Sequence, residues 1–329
     1  MPRFDFEKFA DELLEIQRQI PFKISARGWC YQLESFGMIT KAEFNTVERH
    51  INVCRAKGLV PIDFVAEEAA RSFSGVEEPD EMTPEEFLGA ILRGVLECED
   101  QYIPSWWDGE TYYIQMVVEK IDLKTLFEPV CQEYHIPIAT SKGWSSLLQR
   151  AEYARRFKEA EEQGLVAVLL YCGDHDPDGL RISEFLRSNL MALADVEWSD
   201  GCLGYYPSAL IIERFGLNYD FIEQNNLLWI DNLITGSGHD LASPRHANHY
   251  LPYVQEYLAQ YGARKCEANA LVVIPDIAQD LCRETIEGYL GNDAIGRFEA
   301  RREAVREAIN DVRESSGLTE DIMRILGQI

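Results

Sequence analysis

The second half of the chain alternates strand-like with helix-like segments, and this alternation limits the fold more than any other feature. The predicted strands and the helices between them lie, in chain order, at 112–118, 121–133, 135–140, 144–163, 165–171 and 179–194. Strands that alternate with helices form parallel sheets, so we predict an α/β fold with helices flanking a parallel sheet. In such sheets ligands collect at the carboxyl ends of the strands.

Acidic residues directly follow two of these strands. Glu119 comes after the first strand, and Asp174 and Asp176 come after the third. Carboxylates that meet at one edge of a sheet repel each other unless a cation joins them, and hard oxygen ligands suit Mg²⁺, or Mn²⁺. Such an ion can polarise a phosphodiester. We therefore predict a metal site on these three acids, with Asp178 as an accessory acid. Capping of the helix near Gly179 is an alternative that explains only one aspartate.

The N-terminal stretch, residues 1–75, follows a different pattern. Its predicted elements are three helices and one extended segment, at 5–19, 25–36, 41–57 and 59–65. Two helices, a tight turn, a third helix and a strand are the outline of a winged helix-turn-helix. The third helix would offer basic side chains to DNA, namely Lys41, Arg49, His50, Arg55 and Lys57. Packing against another protein is the alternative role for this domain.

The net charge of −25 counts against tight DNA binding by the chain alone. Much of it comes from residues 76–110, which hold 11 acids and one base, Arg93. We interpret this stretch as an acidic connector with a short helix at 84–96. There are two alternatives. One is an autoinhibitory or partner-docking segment that keeps DNA off until a basic partner arrives, and the other is an acidic surface suited to a salty cytoplasm. The third domain, residues 111–329, then ends in a charged helix at 296–316.

The sequence also indicates the compartment. No apolar run reaches the ~18 residues of a membrane span, so we expect no membrane segment. The acid-containing N-terminus lacks the pattern of a signal peptide. Eight scattered cysteines without a CxxC pair are typical of reduced thiols. We therefore expect a cytoplasmic protein.

Three motifs occur in a fixed order between residues 112 and 190. They are Val118-Glu119-Lys120, Ser141-Lys142-Gly143-Trp144-Ser145 and Gly173-Asp174-His175-Asp176-Pro177-Asp178-Gly179. This set resembles the Toprim domain, and it is most similar to the A subunit of topoisomerase VI and the related meiotic double-strand-break protein. The resemblance implies a winged-helix domain before a Toprim domain, Mg²⁺-dependent cleavage and rejoining of DNA, and a homodimer. The chain has no GxxxxGK[ST] motif, so the ATPase would be a separate subunit.

The same family carries its catalytic tyrosine in the winged helix, in a motif of the type Arg-x-x-Tyr-Tyr. The run Arg27-Gly28-Trp29-Cys30-Tyr31 matches it with Cys30 in place of the first tyrosine. The resemblance therefore implies that Tyr31 is the nucleophile. Arg27 lies four residues earlier, on the same helical face, where it would assist the attack. The alternative is an ordinary core tyrosine. Gly28 stands where many relatives have an acid.

Smaller signals complete the predicted site. Lys120 and Lys142 flank the acids, where they would contact phosphates or neutralise the carboxylates. Glu267 lies in a segment that resembles an element near the end of Toprim folds, where a glutamate faces the site. His175 is expected to face solvent.

The leading hypothesis is thus a type IIB-like DNA topoisomerase subunit that cleaves DNA through Tyr31. A Toprim endonuclease that uses metal-activated water, as in some phage-defence proteins, is one alternative. A non-catalytic module that binds DNA or protein is the other.

Overall fold

The computed structural model describes residues 4–20, 22–66, 82–141, 147–198, 201, 204–206, 209–234 and 238–327. Lys142 lies outside the described residues. The chain divides into two compact units. The first contains Met1–Glu67 and Thr111–Tyr289, and the second contains Glu68–Glu110 and Leu290–Ile329. The N-terminal helices therefore share a unit with the sheet, and the C-terminal helices share a unit with the acidic stretch. The domain bounds expected from the sequence, 1–75, 76–110 and 111–329, stay a prediction.

The elements have the following bounds. The α-helices are α1 (Phe6–Gln17), α2 (Ala26–Ser35), α3 (Phe44–Ala56), α4 (Pro84–Leu96), α5 (Ile121–Glu133), α6 (Leu147–Glu162), α7 (Ile182–Met191), α8 (Tyr219–Gln224), α9 (Pro252–Tyr261), α10 (Pro275–Leu290), α11 (Ala294–Ser315) and α12 (Leu318–Leu326). The strands are β1 (Tyr112–Val118), β2 (Ile138–Thr140), β3 (Val166–Cys172) and β4 (Ile211–Gly216). Short 3₁₀ helices include Lys41–Glu43, Gly179–Arg181 and Ala268–Val273.

The four strands form one parallel sheet in the order β2-β1-β3-β4, which confirms the predicted α/β class. The central strands β1 and β3 are buried along almost their whole length, as expected when helices cover both faces of a parallel sheet. Val118 pairs with Cys172 at the end of these two strands. The residues that follow each strand therefore emerge side by side at one edge.

The N-terminal helices α1, α2 and α3 form a hydrophobic core around buried side chains such as Leu13, Trp29 and Ile51. The prediction of an extended segment at 59–65 is wrong, because these residues form bends and a turn. Gly58 adopts φ 70°, and the amide of Phe64 donates to the carbonyl of Pro61, so the chain folds back on itself. Strand β4 was not predicted.

The second unit contains α4, α11 and α12. Its acids pair with arginines of α11, and the pairs are Glu99–Arg313, Asp100–Arg306 and Glu110–Arg297. Acids of the stretch predicted as a connector are thus partly neutralised within their own unit.

Among the described helices, none combines the length and the apolar composition needed to cross a bilayer.

Candidate active site

The carboxyl ends of β1 and β3 bring the predicted acids to one edge of the sheet. Oε2 of Glu119 accepts a hydrogen bond from the backbone amide of Asp174 at 2.6 Å. The hydroxyl of Tyr171 lies 3.5 Å from the same oxygen. Position 173 requires glycine, because a Cβ there would lie 2.7 Å from Oε2 of Glu119 and would collide with the side chain of Tyr171.

Glu119 and Asp176 are held in an environment that disfavours their negative charge. Burial raises the pKa of Glu119 to about 7, and the neighbouring charge of Asp174 adds to this effect. Burial also raises the pKa of Asp176 to about 6. A cation placed among these carboxylates would relieve both the burial cost and the repulsion. The donor set, three carboxylates, therefore has the chemistry that a hard divalent cation requires.

Hydrogen bonds and an ion pair currently occupy these carboxylates. Lys120 Nζ lies 2.6 Å and 2.9 Å from the two oxygens of Asp174. The amide of Ala268 also donates to Oδ1 of Asp174, at 2.7 Å. Asp176 accepts from the amide of Gly179 at 2.6 Å, so it does cap the following turn.

Within the described residues, no group of three or more His, Cys, Asp or Glu side chains is arranged to hold a metal ion. Lys120 supplies positive charge to Asp174 in this arrangement. The Mg²⁺ site on Glu119, Asp174 and Asp176 stays a prediction.

His175 does not face solvent as expected; it is 1% exposed. Its backbone pairs with that of Cys266 in an antiparallel bridge, and its ring lies 3.0 Å from the hydroxyl of Tyr257. Burial lowers the pKa of His175 to about 4, so the ring is neutral at physiological pH. The expectation failed because the partner strand segment comes from a distant part of the chain. Asp178 is exposed and accepts a hydrogen bond from Tyr253 at 2.9 Å.

Tyr31 lies in α2, where its ring packs edge-on against Phe44 with the centroids 5.1 Å apart. Its hydroxyl donates a hydrogen bond to Oε2 of Glu267. Burial raises the pKa of Glu267. The nucleophile and the accessory acid implied by the resemblance are therefore in direct contact within one chain, although 236 positions separate them in the sequence.

Three ammonium groups surround Glu267. Nζ of Lys41 and Nζ of Lys265 lie 3.3 Å and 3.4 Å from its Oε1. Nζ of Lys120 lies 3.9 Å from its Oε2 and at the same time binds Asp174. A continuous series of polar contacts thus joins the hydroxyl of Tyr31 to the acids at the strand ends.

The predicted arginines make contacts elsewhere. Nη1 of Arg27 lies 3.0 Å from Oε1 of Glu48, and its guanidinium lies over the ring of Phe44 rather than on Tyr31. Arg49 donates to the backbone carbonyl of Asn45, and Arg55 donates to that of Ile62. None of these contacts connects the three arginines to the carboxylates at the strand ends.

Arg214 of β4 is a residue that the sequence did not reveal. Its Nη2 donates to the carbonyls of Gly173 at 3.0 Å and Asp174 at 2.8 Å, and its Nε donates to Gly179 at 3.2 Å. The guanidinium therefore clamps both ends of the loop that carries the acids. No motif marked Arg214, because most of its partners are backbone carbonyls that any sequence would supply. Its Nη1 also donates to a side-chain acceptor, Oδ1 of Asn218, at 2.8 Å.

Arg214→Lys is expected to lower the affinity for Mn²⁺ about 10- to 100-fold, the usual effect of losing a group that orients metal ligands. A lysine has a single ammonium and cannot reach all of these carbonyls as a planar guanidinium does. Calorimetric titration with Mn²⁺ measures the effect. Arg187→Lys is the matched control, since Arg187 donates to one backbone carbonyl, that of Leu210. If the Arg214→Lys variant folds and binds Mn²⁺ with unchanged affinity, the hydrogen bonds of Arg214 do not orient the metal ligands.

No family model, no curated protein and no solved structure matches the chain. The function of the site is therefore inferred from its geometry and its motifs.

Proposed function

We propose that this chain is a Mg²⁺-dependent DNA-cleaving subunit of topoisomerase VI A type, with a Toprim domain around β1–β4 and a winged-helix domain in the N-terminal helices. The observation that carries the proposal is the position of Tyr31. Its hydroxyl, from the N-terminal domain, binds Glu267, and Glu267 is linked through Lys120 to Asp174. A tyrosine, a carboxylate and the strand-end acids in one cluster form the set of groups that a tyrosine-mediated transesterase needs.

The cluster supports the following chemistry. A phenol of pKa ~10 is a weak nucleophile at neutral pH, so it needs a proton acceptor. Glu267 accepts the proton of Tyr31 as the phenolic oxygen attacks phosphorus. The bond from phosphorus to the 3′ oxygen breaks, and the 3′ oxygen takes a proton from water. The hydroxide that remains removes the proton from Glu267, so the carboxylate is restored. A 5′-phosphotyrosyl link results, and the reverse attack by the 3′ hydroxyl rejoins the strand.

A divalent metal would supply charge neutralisation at the phosphate and at the departing oxygen. Glu119, Asp174 and Asp176 would hold it, in exchange for the present contact between Asp174 and Lys120. A double-strand break requires one tyrosine for each strand, so the active form is a homodimer. Coupling to ATP would require a separate subunit, and the acidic net charge makes a basic partner useful for DNA binding.

Detection of a covalent adduct tests the proposal. Supercoiled DNA labelled at internal nucleotides is incubated with protein and Mg²⁺ and then quenched with detergent, and protein-linked ends are expected. Tyr31→Phe is expected to give no adduct. Tyr250→Phe, at a tyrosine that is 71% exposed, is the matched control and should retain adduct formation.

Metal-dependent hydrolysis without a tyrosine intermediate is the second candidate. The ring of Tyr31 is only 7% exposed, which favours it as a core residue whose hydroxyl merely fixes Glu267. Nicked or linear DNA that survives Tyr31→Phe would support this nuclease. DNA binding without cleavage under any metal would support a non-catalytic module.

A further inference from the structure

Glu267 is surrounded by more positive charge than one carboxylate can balance. Lys41, Lys265 and Lys120 all lie within 4 Å of its oxygens, and of these only Lys120 has a second carboxylate partner, Asp174, among the described ion pairs. This excess occurs in a chain with a net charge of −25. A local cluster of ammonium groups in an acidic protein is a position at which an anion is stabilised.

The ammonium of Lys41 is only partly satisfied by Glu267. Its Nζ is enclosed and, within the described chain, makes no hydrogen bond, because the 3.3 Å contact with Oε1 lacks hydrogen-bond alignment. Burial lowers the pKa of Lys41 to about 8, and the nearby charge of Lys265 lowers it further. A buried ammonium with unused donors can bind a phosphate oxygen that approaches it.

The cluster is accessible from a cavity of about 550 Å³. Tyr31, Lys41 and Glu267 all line it. The rest of the lining is mostly apolar and includes Trp229 and Ile274, but it also contains a second carboxylate, Glu34, and the uncharged polar residues Ser35, Asn225 and Asn226. A ligand that enters this cavity therefore reaches Tyr31, Lys41 and Glu267, whereas Lys120 and Lys265 contact Glu267 from outside the cavity lining.

We propose that Lys41, Lys265 and Lys120 form a binding site for the DNA phosphate that Tyr31 attacks, and that Oε1 of Glu267 takes the place of a phosphate oxygen when DNA is absent. This inference rests on the proposed function. It adds Lys265 as a phosphate-binding residue and the replacement of Oε1 of Glu267 by a phosphate oxygen when DNA binds. Oε2 of Glu267 keeps the hydrogen bond from Tyr31, while phosphate oxygens become the partners of Lys41 and Lys265.

Lys265 can take part without losing its present contacts. Its Nζ donates to the carbonyl of Ile234 at 2.7 Å, and an ammonium has two further donors. Its backbone forms an antiparallel bridge with Ile230, and the next residue, Cys266, bridges to His175. Lys265 and Glu267, two positions apart in this extended segment, both reach the cluster while Cys266 is buried.

Binding of a labelled duplex oligonucleotide in EDTA tests this exchange without cleavage. Lys265→Gln and Lys41→Gln are each expected to weaken binding roughly tenfold. Each should also reduce the slope of log affinity against log salt concentration by about one, the loss of a single phosphate contact. Glu267→Gln is expected to tighten binding roughly fivefold, because a competing negative charge is removed. Lys8→Gln, at an exposed lysine of α1, is the matched control and should bind as the wild type does.

The outcomes separate this proposal from the proposed function. If folded Glu267→Gln binds DNA no more tightly than the wild type, or if both lysine variants keep its salt dependence, the phosphate site is overturned. Adduct formation through Tyr31 would then still stand. Wild-type protein that binds no DNA in EDTA would overturn the phosphate site, and absence of the adduct in the Mg²⁺ assay would overturn the proposed function. A Glu267→Gln variant with tighter binding but no adduct would support both, since this residue also accepts the proton of Tyr31.

Discussion

Glu119→Gln is expected to abolish DNA cleavage and, in metal-free protein, to raise the free energy of unfolding. The loss of cleavage should be on the order of 100-fold or more, the usual effect of removing one group that stabilises charge in the transition state. Stability should increase because the side chain is a buried carboxylate beside Asp174. Glutamine keeps the oxygen that accepts from the amide of Asp174, so the local hydrogen bond survives.

The gain in stability should depend on pH in a defined way. The ordinary pKa of glutamate is 4.5, and that of Glu119 in the folded protein is about 7. The ionised carboxylate therefore destabilises the fold increasingly as the pH rises from 4.5 to about 7, and by a constant amount above that. The variant lacks this cost, which is on the order of 1–3 kcal/mol.

Unfolding midpoints in EDTA at pH 5 and pH 8 measure this difference. Glu119→Gln should match the wild type more closely at pH 5 and exceed it at pH 8. Glu152→Gln, at an exposed glutamate of α6, is the control and should show no such dependence. A variant that is less stable than the wild type at pH 8 would mean that Glu119 is retained for structural support.

Sequence patterns predicted β1, β2 and β3, the helices up to α7, and α11, whereas α8, α9, α10 and α12 were not predicted. The bounds of β1, α4 and α5 agree with the sequence prediction because each is a strong pattern ended by a turn or a cap. The segment at 59–65 was predicted incorrectly, because its apolar residues fill the N-terminal core from turns rather than from a strand. Strand β4 was missed because it is a short, half-buried segment that contains Glu213 and Arg214.

Some residues of the candidate site could be predicted from the sequence, and others could not. Glu119 and Asp174 could be placed because acids after parallel strands meet at one edge, and their contact follows from strand register. Lys265, Arg214 and Asp122 carry no such signal. Their placement depends on bridges and hydrogen bonds across 31 to 147 positions of chain, which no local pattern encodes. His175 was misplaced for the same reason.

Asp122→Ala is expected to be the most destabilising single change near Tyr31, at about 3 kcal/mol. Asp122, at the start of α5, is 1% exposed. It accepts from the amide and the hydroxyl of Ser25 at 2.6 Å and 2.8 Å, and from Asn269 at 3.1 Å. Removing it would leave these buried donors unpaired. Gly28 leaves room for the side chain of Asp122, because a Cβ at position 28 would lie 3.1 Å from the carboxyl carbon of Asp122.

The loss of stability in Asp122→Ala can be distinguished from the smaller loss caused by removing the cap of α2. Ser25 caps α2 by accepting from the amide of Gly28, so Ser25→Ala alone should cost about 1 kcal/mol. Because Ser25 and Asp122 share two hydrogen bonds, the double variant should lose less than the sum of the single variants in chemical denaturation. Asp122→Ala should also lower adduct formation, since the contact fixes the start of the helix that carries Tyr31. Unchanged adduct yield in a folded Asp122→Ala variant would mean that the hydrophobic core around Trp29 alone positions the tyrosine.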